Sequence, residues 1–84
     1  MDKSIYTREY AVFLQMLRSA RETRRITQME LAEALSTTQT FVSKAERGER
    51  RLDVVELRQW CLALNIEFDH FARQLTQAYR HDSR

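Results

Sequence analysis

Apolar side chains recur every three or four positions over much of the chain, which is the spacing of one face of an α-helix. The first such stretch runs from about Arg8 to Arg24, with Thr7 in position to cap it. Its apolar face consists of Tyr10, Phe13, Leu14, Leu17 and Ala20. This pattern predicts an amphipathic first helix.

The second helix has a sharper start signal. Thr27 and Glu30 form a T-x-x-E capping box, and Ile26 and Leu31 form the matching hydrophobic staple, so the helix begins at Gln28. Its inward residues are Leu31, Ala32 and Leu35. The hydroxyls of residues 36–38 compete with helical hydrogen bonds and favour a turn.

The third helix is thinly apolar. Thr38 caps it, and it runs from Gln39 to Arg47 with Val42 and Ala45 facing inward and Phe41 at the edge. Gly48 follows as a helix-ending residue in the left-handed conformation. Most of this helix therefore presents polar atoms outward.

Two further helices complete the chain. Asp53 with Glu56 is a capping-box variant and Leu52 with Leu57 is a staple, which start a fourth helix that runs to about Leu64 and ends at Asn65. Its core candidates are Val54, Leu57, Trp60, Cys61 and Leu64. A fifth helix, about Phe68 to Tyr79, carries one stripe of Phe68, Phe71, Ala72, Leu75 and Tyr79, and residues 80–84 are expected to fray.

Composition narrows the fold class. The chain has 84 residues, no Pro and one Gly, so helices are permitted and tight hairpins are not supported. We therefore expect a single all-α domain over residues 1–84, a compact five-helix arrangement containing a helix-turn-helix. No apolar run suits a membrane span or a signal peptide, and the lone Cys61 fits a buried position in a reducing compartment, so a cytoplasmic location is expected.

The basic residues are clustered although the net charge is only +2. One group is Arg18, Arg21, Arg24 and Arg25, and the other is Lys44, Arg47, Arg50 and Arg51. Local basic patches on a near-neutral body indicate a docking surface of defined shape. The alternative is a solvated helical surface in which Glu22, Glu46 and Glu49 are interspersed.

Residues 28–47 form a helix-turn-helix pattern, and its second helix suits a DNA major groove. The outward residues predicted to read bases are Gln39, Thr40, Ser43 and Lys44. Gln pairs bidentately with adenine N6 and N7, Lys donates to guanine O6 and N7, and the Thr methyl packs on thymine. The alternative is an ordinary polar helix face.

Phosphate contacts are predicted at the N-termini of the second and third helices, where Gln28 and Thr38 stand, because free N–H groups there favour anions. Arg50 and Arg51, in the loop after the reading helix, are candidates as well, with solvated loop charge as the alternative.

The stretch from about Leu17 to Leu75 resembles the Cro and phage-repressor type helix-turn-helix family of bacterial and phage transcription regulators, also called the xenobiotic-response-element type. The matching segments are TQMELAEAL, TTQTFVSKAERGERRLDVVEL and CLALNIEFDHF, which together are specific in this order and spacing. The chain departs from the family where Arg25 and Ser36 replace Gly and where Ala45 replaces a larger aliphatic residue.

The resemblance implies a five-helix domain, usually a homodimer on a near-palindromic operator. Carried over by position, Gln39, Thr40, Ser43 and Lys44 match base-facing sites, and Gln28 matches a phosphate-contacting site. Arg21 and Glu46 match a pair that forms a salt bridge between the first and third helices.

The expected function is that of a sequence-specific double-stranded DNA-binding regulator, a repressor, associated with the nucleoid. A homodimer through the fifth helix is expected to use Phe68, Phe71, Leu75 and Tyr79; the alternative is that these rings complete the core.

The rival hypothesis is an antitoxin-like module that holds a protein partner and binds DNA mainly for autoregulation. Exposure of Tyr6, Tyr10 and Phe13 would favour it. An enzyme, a metal site and a cofactor are not expected, because neither His70 nor His81 has partners at ligand spacing and no nucleophile-base pair or phosphate-cradling loop occurs.

Overall fold

The computed structural model describes residues 7–82, and this part of the chain forms five helices and no strand. The helices are α1 (Arg8–Thr23), α2 (Gln28–Ala34), α3 (Gln39–Glu46), α4 (Val54–Ala63) and α5 (Phe68–Asp82). The all-α prediction is confirmed. Helix α5 continues past Tyr79 to Asp82, so the expectation that the chain frays from residue 80 was wrong for residues 80–82. None of the helices over residues 7–82 is long and apolar enough to cross a membrane.

Local capping starts four of these helices. The side chains of Thr7, Thr27, Thr38 and Asp53 each accept a hydrogen bond from the backbone N–H three residues later. At Thr27 and Asp53 the capping box is complete, since Glu30 and Glu56 each accept in return from the cap N–H at 2.9 Å. Because these bonds join residues three apart, the sequence alone predicts the helix starts.

A residue with a left-handed backbone conformation follows each of the first four helices. Arg25, Ser36 and Asn65 have φ angles of 59°, 58° and 61°, and Gly48 has 84°. After each of them the next N–H reaches a carbonyl five residues back, as from Thr37 to Ala32 at 2.9 Å. Arg25 and Ser36, which replace Gly in the family pattern, therefore keep the left-handed conformation and carry its steric cost.

The core lies between α1, α5 and the three shorter helices. Its buried residues are Tyr10, Phe13, Leu17, Leu31, Ala32, Val42, Ala45, Trp60, Cys61, Leu64 and Phe71. The ring of Phe13 meets that of Phe71 edge-on at 6.1 Å, which joins α1 to α5. Phe41 and Trp60, 6.2 Å apart, join α3 to α4 beside the small Ala45.

Two predicted inward positions are exposed. Val54 is 65% exposed, so its assignment to the core was wrong. It is the first residue of α4 and lines the rim of a surface groove with Tyr79, at the edge of the packed layer. Ala72 is also exposed, because it is the neighbouring residue Phe71 that lies on the buried face of α5.

Candidate nucleic-acid interface

Helices α2 and α3 pack against each other through fully buried side chains of Leu31, Ala32 and Val42, with Leu35 half-buried beside them. The opposite face of α3 is polar. Gln39, Thr40 and Lys44 are exposed on it and Ser43 is half-buried. The structure thus brings the four predicted base-reading residues onto one accessible helix, with Thr38 exposed at its N-terminus.

A buried ion pair holds this helix to α1. The guanidinium of Arg21 donates from Nε to Glu46 Oε2 at 2.6 Å and from Nη2 to Glu46 Oε1 at 3.1 Å. The Arg21 and Glu46 side chains are only 9% and 3% exposed. Arg21 Nη1 also donates to the carbonyl of Ile26 at 2.8 Å, so one guanidinium joins α1, the α1–α2 turn and α3.

Two side-chain amides extend the hydrogen bonding of this ion pair to the surface. Gln28 Nε2 donates to Glu46 Oε1 at 2.9 Å, and Gln39 Nε2 donates to Gln28 Oε1 at 3.3 Å. Gln39 keeps one amide hydrogen and its carbonyl oxygen outside these bonds. Those are the two groups that a bidentate contact with adenine uses.

A second polar cluster lies one turn further along α3. Arg47 donates to Ser43 Oγ and forms a two-bond ion pair with Glu49, with Nε 2.9 Å from Oε2. Hydrogen bonding, followed by charge attraction, raises the pKa of Arg47 and lowers the pKa of Glu49. Because its oxygen accepts from Arg47, the Ser43 hydroxyl keeps its hydrogen to donate to another group.

The sequence interpretation gave Arg47 no individual role. The four-residue spacing between Ser43 and Arg47 on one helix was the available signal, since such residues are neighbours on a helix face.

The two loop arginines rest on aromatic rings. Arg50 donates to Glu56 Oε2 at 2.7 Å and lies 5.1 Å from the centre of the Phe41 ring. Arg51 lies 4.1 Å from the centre of the Tyr10 ring. These contacts restrict the motion of both guanidinium groups.

The stripe on α5 packs largely against the rest of the chain. Phe71 is buried against Phe13, and the Tyr79 hydroxyl donates to the carbonyl of Glu9 at 3.1 Å. Phe68, Leu75 and Tyr79 are half-buried. Phe71 therefore has no surface to offer a second copy, whereas the other three residues have some.

Exposure of three aromatic residues of the N-terminal region would favour an antitoxin-like module, and two of the three are not exposed. Tyr10 and Phe13 are buried in the core, and the Tyr10 hydroxyl accepts from the backbone N–H of Leu52 at 3.2 Å. Tyr6 lies outside the described residues.

Residues with reactive side chains form no metal site in the part of the chain that the structure describes, since it contains no group of three potential ligands. His70 and His81 are exposed. Cys61 is buried, and its burial raises the pKa of the thiol.

Among the matches to known proteins are two that agree with this geometry. A family model described as helix-turn-helix matches residues 17–71, which include α2, α3 and α4. The solved structure of an XRE-family like protein from Pseudomonas syringae pv. tomato str. DC3000 is 38% identical, with a TM-score of 0.82 over 90% of this chain and 93% of that chain. No curated protein matches the chain.

Proposed function

This chain belongs to the XRE-type helix-turn-helix family of DNA-binding transcription regulators, and we propose that it is a sequence-specific repressor. It reads the major groove of a near-palindromic operator as a homodimer. The single observation that carries the proposal is the hydrogen-bonded series from the buried Arg21–Glu46 pair through Gln28 to Gln39. A surface amide anchored to a buried ion pair is oriented in advance for base recognition.

Base reading falls to four residues of α3. Gln39 pairs with adenine, Lys44 donates to guanine, and the Thr40 methyl packs on thymine. Ser43, whose oxygen accepts from Arg47, donates to a base acceptor such as guanine O6 or thymine O4.

Phosphate contacts position this helix in the groove. Gln28 and Thr38 stand at the starts of α2 and α3, where N–H groups and the helix dipole favour an anion. Arg50 and Arg51 neutralise phosphates beyond the end of α3, with the rings of Phe41 and Tyr10 behind them.

The proposed setting is the cytoplasm of a bacterium or a phage-infected cell, where the protein associates with the nucleoid through its operator. Residues 1–84 act as one domain without a cofactor. Repression follows from occupancy of the operator, which excludes other proteins from the same major groove.

Selection of bound sites from a random DNA pool at physiological salt tests the proposal, because it reports sequence preference, dyad symmetry and half-site spacing together. A dimer should select two half-sites about 34 Å apart. Enrichment of no sequence would refute sequence-specific recognition.

Gln39→Ala then tests the reading role on the selected site. We expect it to weaken binding by about 1–3 kcal/mol and to relax preference at one base pair. Gln77→Ala, on the exposed face of α5, is the matched control and should bind as the wild type does. An equal loss on random DNA would leave Gln39 only a phosphate role.

A further inference from the structure

Helix α4 turns large apolar side chains to the surface. Val54, Val55 and Leu62 are 65%, 62% and 63% exposed, and the other exposed large apolar residue of the described chain is Met29 on α2, at 57%. Val55 and Leu62 are seven residues apart, which is about two helical turns, so they share one face. Isolated exposed apolar residues are ordinary, whereas several on one helix form a patch that suits an interface.

The patch extends beyond α4 on both sides of Leu62. One groove, of about 400 Å³, joins α4 to the end of α2 and is lined by Ala34, Leu35, Gln59, Leu62 and Ala63. Another, of about 340 Å³, lies at the α4–α5 turn and is lined by Leu62 together with Ile66 and Phe68. Phe68, which the sequence placed in a dimer interface on the fifth helix, therefore borders this α4 surface.

Charges of both signs accompany the apolar patch. Arg58 and Glu67 line the groove at the α4–α5 turn with Leu62, and neither forms an ion pair with a described residue. Asp69 lines the same groove but forms an ion pair with Arg73, so Arg58 and Glu67 supply the cation and the anion that remain for a partner. Such a surface is complementary to itself about a twofold axis that passes between the two residues, because Arg58 of one copy then faces Glu67 of the other. A partner of uniform charge would satisfy only one of them.

We propose that a second copy of this chain docks on the α4 face around Leu62, with Arg58 of each copy paired to Glu67 of the other. The inference deepens the proposed function and rests on it, since it names the surface that joins the two DNA-reading units. A stable dimer buries about 800 Å² on each copy, so the contact includes both grooves as well as Leu62. Leu35 is the C-cap residue of α2, and a contact there holds the two reading helices at a constant separation.

Sedimentation equilibrium of the full chain tests the surface. Leu62→Glu and Val55→Glu should each raise the dimer dissociation constant by at least about tenfold, since each places a charge in an apolar contact. Met29→Glu makes the same change at an exposed apolar site on α2 and should leave it unchanged. A monomeric wild type, or a Leu62→Glu variant as dimeric as the wild type, would overturn the proposal. So would loss of the dimer in Leu75→Glu but not in Leu62→Glu, which would assign the interface to α5.

Charge reversal tests the pairing independently of apolar contact. Arg58→Glu and Glu67→Arg should each weaken the dimer by about threefold to tenfold, because like charges then face each other. The double variant rebuilds both ion pairs with exchanged signs and should return to within about twofold of the wild type. A double variant as weak as the worse single variant refutes the pairing. Far-UV circular dichroism confirms that each variant is folded.

DNA binding separates this inference from the proposed function. Leu62→Glu should bind an isolated half-site with the wild-type base preference and lose at least about tenfold affinity for the full palindrome. Full affinity of this variant for the palindrome would refute the α4 interface and leave base reading intact. A wild type that does not distinguish the selected site from a scrambled one would refute the proposed function itself.

Discussion

Replacement of Arg21 by Met removes the cation from the buried ion pair that joins α1 to α3. Met keeps the apolar stem, so the change deletes mainly the guanidinium, with its two bonds to Glu46 and its bond to the Ile26 carbonyl. The Glu46 carboxylate, 3% exposed, then retains only the amide of Gln28 as a donor.

The expected loss is large relative to the stability of a small domain. An uncompensated buried charge costs about 3–5 kcal/mol. At about 0.05–0.15 kcal/mol per residue, a chain of 84 residues has roughly 4–13 kcal/mol in total. Arg21→Met should therefore lose about a quarter or more of the free energy of unfolding. The double variant Arg21→Met/Glu46→Leu should recover most of it, because no charge remains buried.

Urea unfolding followed by far-UV circular dichroism at neutral pH measures these free energies. Arg18→Met is the matched control, because it removes an exposed ion pair with Glu22 on the same helix and should cost under about 0.5 kcal/mol. The reasoning is refuted if Arg21→Met loses less than about 1 kcal/mol, or if the double variant is no more stable than Arg21→Met. The double variant should also bind the operator more weakly than the wild type, because Gln28 has lost the carboxylate that orients it.

Four further outcomes are expected from individual residues. Ser36→Gly should stabilise the fold by about 1 kcal/mol in urea unfolding because it relieves a left-handed turn, and Asn65→Gly should gain less, since Asn tolerates that conformation; equal gains would contradict this reasoning. Cys61 should react with a thiol reagent only as fast as the protein opens, because the thiol is buried and burial raises its pKa; immediate labelling of the native protein would argue against it. Burial and then the charge of Glu9 raise the pKa of Tyr79 above its ordinary 10.0, so its contribution to stability is intact below pH 10.0 and is lost as pH rises through the folded pKa. Thermal melts of Tyr79→Phe should accordingly show a shallower alkaline decline than the wild type. Arg47→Ala should broaden the base preference at the position that Ser43 contacts, as measured by repeating the site selection, and an unchanged preference would exclude this positioning role.

The helices, their starts and their ends depend on contacts within a few residues, and the sequence predicts them well. The caps at Thr27, Thr38 and Asp53 stand where the sequence places them, as does the left-handed Gly48. The exposure of Val54 shows that periodicity along the chain is not sufficient to predict burial. The spacing of Val54 fits the inward stripe of α4, but it lies at the rim of a surface groove and is exposed.

The packing of one helix on another decides which partners the polar side chains bind. Arg21 and Glu46 are 25 positions apart, and only the approach of α1 to α3 buries them together. The same approach places Gln28 between Glu46 and Gln39, a contact that no spacing in the chain indicates. The apolar surface around Leu62 likewise becomes visible only when the helices that could have covered it lie elsewhere.

Taken by itself, the sequence determined the five helices, the helix-turn-helix and the polar residue types on the exposed face of α3, because capping and periodicity act over three or four residues along one backbone. The tertiary structure alone decided which of those residues are anchored, which aromatic rings are buried in the core and which apolar face remains open. Those properties depend on distances and crossing angles between segments far apart in the chain.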